Sequence, residues 1–426
     1  MKKKILLTLS LLAVMCLLSG CMAISGSRLE SMFGTGGAST VQAGNAAAGT
    51  AANTGDTVTI SKAEYERLAR FKDLAELYDA CEIAFFREPD TDQMLEYAAR
   101  GLMAGLGDPY SYYYSPEEYA QMWEDDTGEY VGIGVMILSY VKEGYCVITR
   151  VFQGGPAEAA GVQRGDILYR VGEDLYVTPE NLTEAVKIMR GEEGTDVDVT
   201  FLRNEEEITF TITRKAVKVN EADSTLLEDG IGMIALYEFS GEAEVEFENA
   251  LNALLKQGIK GLIIDLRDNS GGWVDQARYI GDLFMDKGEV CYLVYRDGEE
   301  EHRYYRTTDG KADVQLVILV NENTASSSEI LTGALRDCAD ATVVGTNSFG
   351  KGIIQEVMPI GNNGAGFQLT IAEYMTPKGN KVHEVGIKPD VEVERAEGDE
   401  KNYEFADVEH DIQLKTALEV MREKLK

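Results

Sequence analysis

Residues 314–330 read VQLVILVNENTASSSEI, and within this stretch an apolar run changes into a helical pattern. The run at residues 314–320 is short and rich in β-branched side chains, which is typical of a strand buried on both faces. From Ile330 to Cys338, apolar residues recur at the three- and four-residue spacing of a buried helix face. The sequence therefore predicts a strand that turns into a helix at Ser326. The first backbone N–H groups of such a helix favour a nearby negative charge.

Ser326 has two interpretations. With Glu329 three residues later, it matches the capping box, in which a serine only closes the end of a helix. A chemical role is favoured by a lysine 25 residues later, because Lys351 lies between Gly350 and Gly352 in a loop. Glycines allow a backbone and its neighbours to approach a site closely.

Composition limits the classes of partner. The chain has 426 residues, with 40 lysines and arginines against 73 acidic residues and a formal net charge of −33. Such a surface repels phosphate groups, so we expect no nucleic-acid partner. The length allows two or three domains with cores of their own.

The first 21 residues have the pattern of a targeting segment. Lys2, Lys3 and Lys4 precede an apolar run at residues 5–18, which is too short to span a bilayer comfortably. Residues 18–21 read LSGC and resemble the bacterial lipobox, which implies cleavage before Cys21 and lipidation of its thiol. A plain secretory signal with an incidental cysteine is the alternative. Either pattern predicts an extracytoplasmic protein, and lipidation would anchor it to the cell membrane.

The remaining terminal segments lack catalytic patterns. Residues 22–60 are poor in large apolar side chains, which predicts a flexible tether. Residues 61–127 have helical periodicity, and we expect this region to pack or to form a homodimer. Residues 398–426 predict a C-terminal helical tail.

The cysteines leave two states open. Cys81, Cys146, Cys291 and Cys338 lie in different predicted elements without a CxxC pair, so no metal site is indicated. They are either free thiols or form one or two disulfides of undetermined pairing.

Residues 128–214 predict a separate β-rich module, in which residues 130–138 read as one strand and residues 179–190 as a helix. Residues 154–168, GGPAEAAGVQRGDIL, resemble a PDZ domain in the circularly permuted bacterial arrangement. The resemblance implies that N–H groups around Gly132, Ile133 and Gly134 take the carboxylate of a peptide that adds as a strand. An ordinary glycine turn is the alternative.

Residues 215–397 alternate strand and helix patterns, which predicts a largely parallel sheet. Six motifs of the chain resemble, in order, those of the C-terminal processing peptidases, also called tail-specific proteases. They are residues 106–111 (LGDPYS), 262–272 (LIIDLRDNSGG), 320–330 (VNENTASSSEI), 349–355 (FGKGIIQ), 374–379 (YMTPKG) and 386–390 (GIKPD). The fold class implied is a multidomain α/β protein with an N-terminal helical region, a PDZ domain and a crotonase/Clp-like Ser–Lys protease core.

The resemblance also implies roles for individual residues. Ser326 matches the nucleophile, Lys351 its general base, and Gln355 the glutamine that orients the lysine. The backbone N–H groups of Gly272 and Ser327 match the oxyanion hole. Two positions depart from the usual pattern, since Ser327 replaces an alanine between two serines and Ser270 replaces a proline.

We therefore expect a serine endopeptidase that cleaves exported polypeptides near their C termini and recognises those termini with its PDZ domain. It would need no metal or cofactor, because a lysine that burial keeps neutral can take the serine proton. The alternative is a catalytically inactive lipoprotein that binds peptides through the PDZ domain.

Overall fold

The computed structural model describes residues 22–23, 59–126, 129–140, 144–152, 154–286, 288–304, 312–395 and 405–426. The predicted signal peptide at residues 1–21, including Cys21, lies outside the described residues, and so do residues 24–58 of the predicted tether. At the start of that tether, the backbone of β1 (Met22–Ala23) pairs in parallel with Gln355 and Glu356. These two residues therefore have strand structure where the sequence predicted flexibility.

Three helices near the N terminus, here called the N-terminal arm, contain no buried residue. The Ser61 hydroxyl accepts a hydrogen bond of 3.1 Å from the backbone N–H of Glu64 and caps the first of them. Arg100 fixes the base of the arm through an ion pair of 2.6 Å with Glu118. The helices are α1 (Lys62–Ala69), α2 (Lys72–Ala84) and α3 (Thr91–Ala104).

The β-rich module is an antiparallel sheet with two helices packed against it. Its strands are β4 (Val135–Tyr140), β5 (Tyr145–Val151), β6 (Ile167–Val171), β7 (Leu175–Tyr176), β8 (Asp196–Arg203) and β9 (Glu206–Thr213). They follow the order β4-β5-β6-β8-β9, with β7 paired to β6. Its helices are α5 (Pro156–Ala160) and α6 (Leu182–Met189), and a 3₁₀ turn, Pro179–Asn181, leads into α6.

The predicted strand at residues 130–138 is two strands. The first, β3 (Glu129–Gly132), pairs with β10 (Lys215–Lys218) outside the module's sheet, and the second is β4. Gly134 interrupts the run because its φ is +82°, a conformation that glycine adopts without steric cost. The loop predicted to bind a peptide carboxylate consists of Gly132, Ile133 and Gly134. It therefore lies at the start of β4, an end strand of the sheet.

A second sheet forms the centre of the protein and has apolar clusters on both faces. Its strands are β11 (Ala222–Leu226), β12 (Ile231–Leu236), β13 (Gly261–Asp265), β16 (Gln315–Val320), β17 (Thr342–Gly345) and β20 (Val391–Glu392), in that order. All neighbours from β12 to β20 pair in parallel, which confirms the predicted parallel sheet. Burial on both faces explains why these strands are nearly continuous apolar runs.

Helices cover the two faces of this sheet. Side chains of α7 (Ala243–Lys256), α8 (Val274–Asp282) and α9 (Ser327–Cys338) join the cluster on one face. On the other face, α10 (Ile412–Lys424) from the predicted C-terminal tail buries Leu414, Leu418 and Met421. The parallel arrangement brings the carboxyl ends of β13, β16 and β17 to one edge, where the loops that follow them meet.

A third sheet lies beside this edge. It contains β2 (Tyr112–Tyr114), β14 (Glu289–Tyr295), β15 (Glu300–Tyr304), β18 (Ile353–Ile360) and β19 (Ala365–Met375), in the order β1-β18-β19-β14-β15, with β2 paired to β19. The helix α4 (Pro116–Asp126) follows β2 in the chain. In the described part of the chain, every helix falls short of the length and apolar character that a membrane span requires.

Of the two states that the sequence left open, the structure has the thiol: Cys81, Cys146, Cys291 and Cys338 are not joined in disulfides.

Candidate active site

Ser326 lies at the sharp turn between β16 and α9. Its φ is +60° and its ψ is −120°, and its side chain is fully buried. Non-glycine residues rarely adopt a positive φ, and holding one there costs on the order of 1–3 kcal/mol. An ordinary capping serine has an extended backbone instead. The strain therefore favours a chemical role for Ser326 over a purely structural one.

A glycine loop after β13 lies directly against this serine. A Cβ atom on Gly271 would be 3.0 Å from Ser326 Oγ and 2.6 Å from Ser326 Cβ, so only a bare backbone fits. Gly272 has a φ of +130°, and its carbonyl oxygen accepts a hydrogen bond of 2.7 Å from the Ser327 hydroxyl. Gly272, Ser326 and Ser327 are thus brought together, as the sequence predicted.

Asn269 holds the glycine loop in place. Its Oδ1 accepts a hydrogen bond of 2.9 Å from the Gly271 N–H, and its carbonyl accepts one of 3.0 Å from the Ala325 N–H. Tyr374 fixes the serine from the other side, because its hydroxyl donates to the Ser326 carbonyl at 3.1 Å. The turn is therefore held by two separate segments of the chain, the loop after β13 and β19.

One buried carboxylate connects the serine to the lysine loop. Glu329 Oε2 accepts hydrogen bonds of 2.9 Å from the backbone N–H of Ser326 and of 2.9 Å from that of Lys351. Its Oε1 accepts from the Gly350 N–H at 2.8 Å and from the Ser348 hydroxyl at 2.5 Å. The backbone nitrogens of Ser326 and Lys351 therefore lie within two hydrogen-bond lengths of each other.

Burial shifts the pKa of the Glu329 carboxyl group. Loss of solvent is the largest influence and raises the pKa of this carboxyl above its usual range, while the four donors oppose the rise. Every hydrogen bond to the carboxylate comes from a backbone N–H or a hydroxyl, so the group acts as an acceptor that orders both loops.

Lys351 is 3% exposed. Its Nζ lies 4.2 Å from the centre of the Tyr110 ring, which comes from the LGDPYS turn. Burial disfavours the charged form of a lysine, which is the condition under which an amine can accept a proton. A cavity of about 960 Å³ opens beside this ring, and Tyr110, Phe349, Gly350 and Ile353 contribute to its lining.

Gln355 is fully buried on β18, four residues after Lys351. Its Nε2 donates a hydrogen bond of 3.1 Å to Thr370 Oγ1. Its Oε1 forms no hydrogen bond with any described residue. The side-chain oxygen of Gln355 is therefore an unused acceptor near the lysine loop.

Ile133 lines a different groove, between β4 and α6, and Gly132 and Gly134 flank it in the chain. The carbonyls of Ile133 and Gly134 accept hydrogen bonds from the N–H groups of Ala157 at 2.7 Å and Phe152 at 3.1 Å. Since the two ends of a peptide unit point in opposite directions, the N–H of Gly134 is directed away from α5. The groove and the serine turn are thus two separate sites.

Three contributions were missed by sequence reasoning. The capping pattern identified Glu329 but not its bonds to the lysine loop 22 residues later. The LGDPYS motif included Tyr110 without a role, and Asn269 was noted only as part of a loop. The role of Glu329 could have been inferred from its place beside a predicted nucleophile, because a buried carboxylate needs several hydrogen-bond donors.

Comparisons with known proteins agree with this arrangement. The profile of peptidase family S41 matches residues 230–393, and a PDZ domain profile matches residues 147–203. A Staphylococcus epidermidis protein named "Probable CtpA-like serine protease" is 32% identical over 330 residues, which cover 77% of this chain and 66% of that protein. The carboxy-terminal processing protease CtpA of Bacillus subtilis is 32% identical over 328 residues, 76% of this chain and 69% of the relative.

Among solved structures, the photosystem II D1 C-terminal processing protease is 26% identical, with a TM-score of 0.54. The match covers 79% of this chain and 94% of that one, so the α/β fold with its PDZ domain is shared. The chain spans about two thirds of the length of the curated relatives above. With a third of its aligned residues identical to theirs, it belongs to peptidase family S41, whose carboxy-terminal processing members are serine-type proteases.

Proposed function

We propose that this serine protease hydrolyses peptide bonds of exported polypeptides near their C termini, with Ser326 as nucleophile and Lys351 as general base. The observation that carries the proposal is the Glu329 carboxylate, which accepts hydrogen bonds from the backbone of both residues. The backbones of a strained serine and a buried lysine are thereby held close together, which supports a pairing of the hydroxyl with the amine that would activate it.

The reaction proceeds in two halves. Lys351 takes the proton of Ser326 as Oγ bonds to the scissile carbonyl carbon, and the backbone N–H groups of Gly272 and Ser327 receive the oxyanion. When the C–N bond breaks, the lysine ammonium returns its proton to the leaving amine. Water then hydrolyses the acyl ester, with Lys351 again acting as base.

Gln355 orients the lysine in this mechanism. Its Nε2 is occupied by Thr370, and its buried Oε1 has no hydrogen bond with a described residue. An unused acceptor in such a setting matches the N–H groups of a lysine amine. We therefore assign Gln355 a positioning role.

The PDZ domain binds the peptide substrate, and we assign recognition of its C-terminal carboxylate to the loop Gly132, Ile133 and Gly134. A peptide strand would add to β4, the end strand of the sheet. Arg190 lines the same groove and supplies a positive charge beside the loop, with its guanidinium 4.8 Å from the centre of the Tyr130 ring.

The protein is exported and held at the outer side of the cell membrane by a lipid on Cys21. The basis is the basic start, the apolar run and the LSGC sequence that ends the predicted signal peptide.

A second copy of the chain covers the N-terminal arm. Large apolar side chains on α1–α3 and the turns after them are exposed, including Ile83, Phe86 and Leu102 at 83%, 77% and 65%. Contiguous apolar surface of this size marks an interface, and helices without a buried face are not stable alone. Because every copy carries the same arm, a symmetric dimer would bury it against itself.

Substitution of the dyad should abolish cleavage. Ser326→Ala and Lys351→Met should each lower kcat by roughly 10⁴-fold or more, because the two residues act as a unit. Cleavage of an unstructured polypeptide with an apolar C terminus is followed by mass spectrometry of the fragments. Ser328→Ala is the matched control, since its hydroxyl only donates to the Asn269 carbonyl, and it should retain most of the activity. Persistent cleavage by Ser326→Ala would refute the assignment.

Glu329→Gln should leave the protein folded but slow the reaction. The amide replaces one of the two acceptor oxygens by a donor, so at least one backbone N–H loses its acceptor at a cost of about 1–3 kcal/mol. We expect a fall in kcat of roughly 10- to 100-fold with a small change in KM. Glu322→Gln is the control, because that exposed carboxylate accepts only from Thr346. Equal kcat values for the two variants would contradict the positioning role.

Lipid anchoring is tested with Cys21→Ser in the full-length chain expressed in a bacterium. The native protein should partition into the detergent phase and incorporate a labelled fatty acid, whereas the variant should do neither. Detergent partition that survives the substitution would show that another feature holds the protein at the membrane.

Dimerisation is tested by light scattering on the purified mature chain. The native protein should have twice the monomer mass, and Leu95→Glu with Leu102→Glu should convert it to monomer because two charges enter the apolar face. Gln93→Glu adds a charge at an exposed position of the same helix and should leave the dimer intact. A monomeric native protein would disprove this interface.

A further inference from the structure

The groove of the PDZ domain is closed on one side by the protease core. A cavity of about 280 Å³ lies between them. Its PDZ side is mostly apolar and includes Ile133, Val135 and Val186, with Arg190 as the charged exception, whereas its core side presents Glu221 and Glu238. The two walls of the groove therefore differ in charge.

Glu221 is 2% exposed and is rigidly held. Its backbone N–H donates to Glu246 Oε2 at 2.6 Å, and its Oε1 accepts from the Ser240 hydroxyl at 3.2 Å. Its Oε2 forms no hydrogen bond with any described residue. A buried carboxyl oxygen without a hydrogen-bond partner is costly, so this atom is suited to a ligand that supplies one.

The charge around Glu221 is incompletely balanced. Burial, followed by the charge of Glu238, raises the pKa of Glu221 to about 8, and Arg150 acts in the opposite direction. Arg150 is committed elsewhere, because it forms an ion pair of 3.3 Å with Asp223 and stacks 3.6 Å from the centre of the Tyr237 ring. A cation beside Glu221 and Glu238 would lower this pKa and so favour the charged form of both carboxyl groups.

The strand geometry of a bound peptide determines which side chain reaches this wall. In an extended strand, successive side chains point to opposite faces. If the C-terminal side chain enters the apolar wall around Ile133, Val135 and Val186, the side chain one residue earlier faces Glu221 and Glu238. The acidic wall thus contacts the penultimate residue of the substrate.

We propose that Glu221 and Glu238 form a subsite for a lysine or arginine that immediately precedes an apolar C-terminal residue of the substrate. The subsite rests on the proposed recognition of substrate C termini by the PDZ loop. It adds a charge requirement to the apolar preference of the groove, because the cation gains a carboxylate partner in a site shielded from water.

The test uses the full chain with Ser326→Ala, so that bound peptides are not cleaved. Fluorescent eight-residue peptides that differ only at the penultimate position, as Lys, Ala or Glu, are titrated by fluorescence anisotropy. The Lys peptide should bind about tenfold more tightly than the Ala peptide, and the Glu peptide more weakly than both. Equal affinities for all three would overturn the subsite without requiring any change to its residues.

Substitutions then test whether Glu221 and Glu238 cause the preference for a penultimate lysine. Glu221→Gln and Glu238→Gln, which keep the side-chain size, should each reduce the Lys-to-Ala ratio, and the double variant should bring it to about one. Glu242→Gln is the control, since that exposed carboxylate pairs with Lys218 outside the cavity, and its ratio should stay at about ten. An undiminished ratio in the double variant would place the cation elsewhere and refute the proposal.

A peptide with an amidated C terminus distinguishes recognition of the terminal carboxylate from recognition of the penultimate side chain. It should bind much more weakly than the free acid. If amidation has no effect, recognition of the carboxylate fails and the subsite fails with it. If amidation weakens binding but the penultimate residue has no influence, PDZ recognition stands and only the subsite is wrong.

Discussion

The arrangement of the candidate active site depends on one buried carboxylate. Glu329 begins as a helix-capping residue, and its acceptor atoms also take N–H and hydroxyl donors from a loop that is remote in sequence. Carboxylates buried in this way must be satisfied by several hydrogen bonds, so the loop can adopt few other positions. The hydrogen bonds that offset the cost of burying Glu329 also hold the backbone of Lys351 beside that of Ser326.

The strain at Ser326 is tolerated because its surroundings are rigid. Asn269 holds the glycine loop, Tyr374 holds the serine carbonyl, and β16 after Gln315 and α9 up to Leu335 are buried. A backbone that costs on the order of 1–3 kcal/mol persists only where many contacts determine it. The exposed N-terminal arm is the opposite case, since it has helical structure but few contacts to define its place within one chain.

Much of this could be predicted from sequence, because the decisive signals are local. Periodicity identified β16, α9 and the parallel sheet, and ordered motifs identified the family. The strand break at Gly134 was not predicted, because apolar residues continue on both sides of this glycine and the pattern does not indicate its positive φ. The bonds from Glu329 to the lysine loop and the acidic wall of the PDZ groove join residues distant in sequence. Neither leaves a periodic signal, so only the fold reveals them.

The most direct test of the account is the rate at which a fluorophosphonate, which phosphonylates activated serines, modifies the native protein, followed by peptide mapping. The account predicts one modified residue, Ser326, and a much slower reaction in Lys351→Met and Glu329→Gln, both of which stay folded at the assay temperature. Modification of a different serine, or an equal rate in the folded Lys351→Met variant, would contradict the claim that a lysine held by Glu329 activates Ser326.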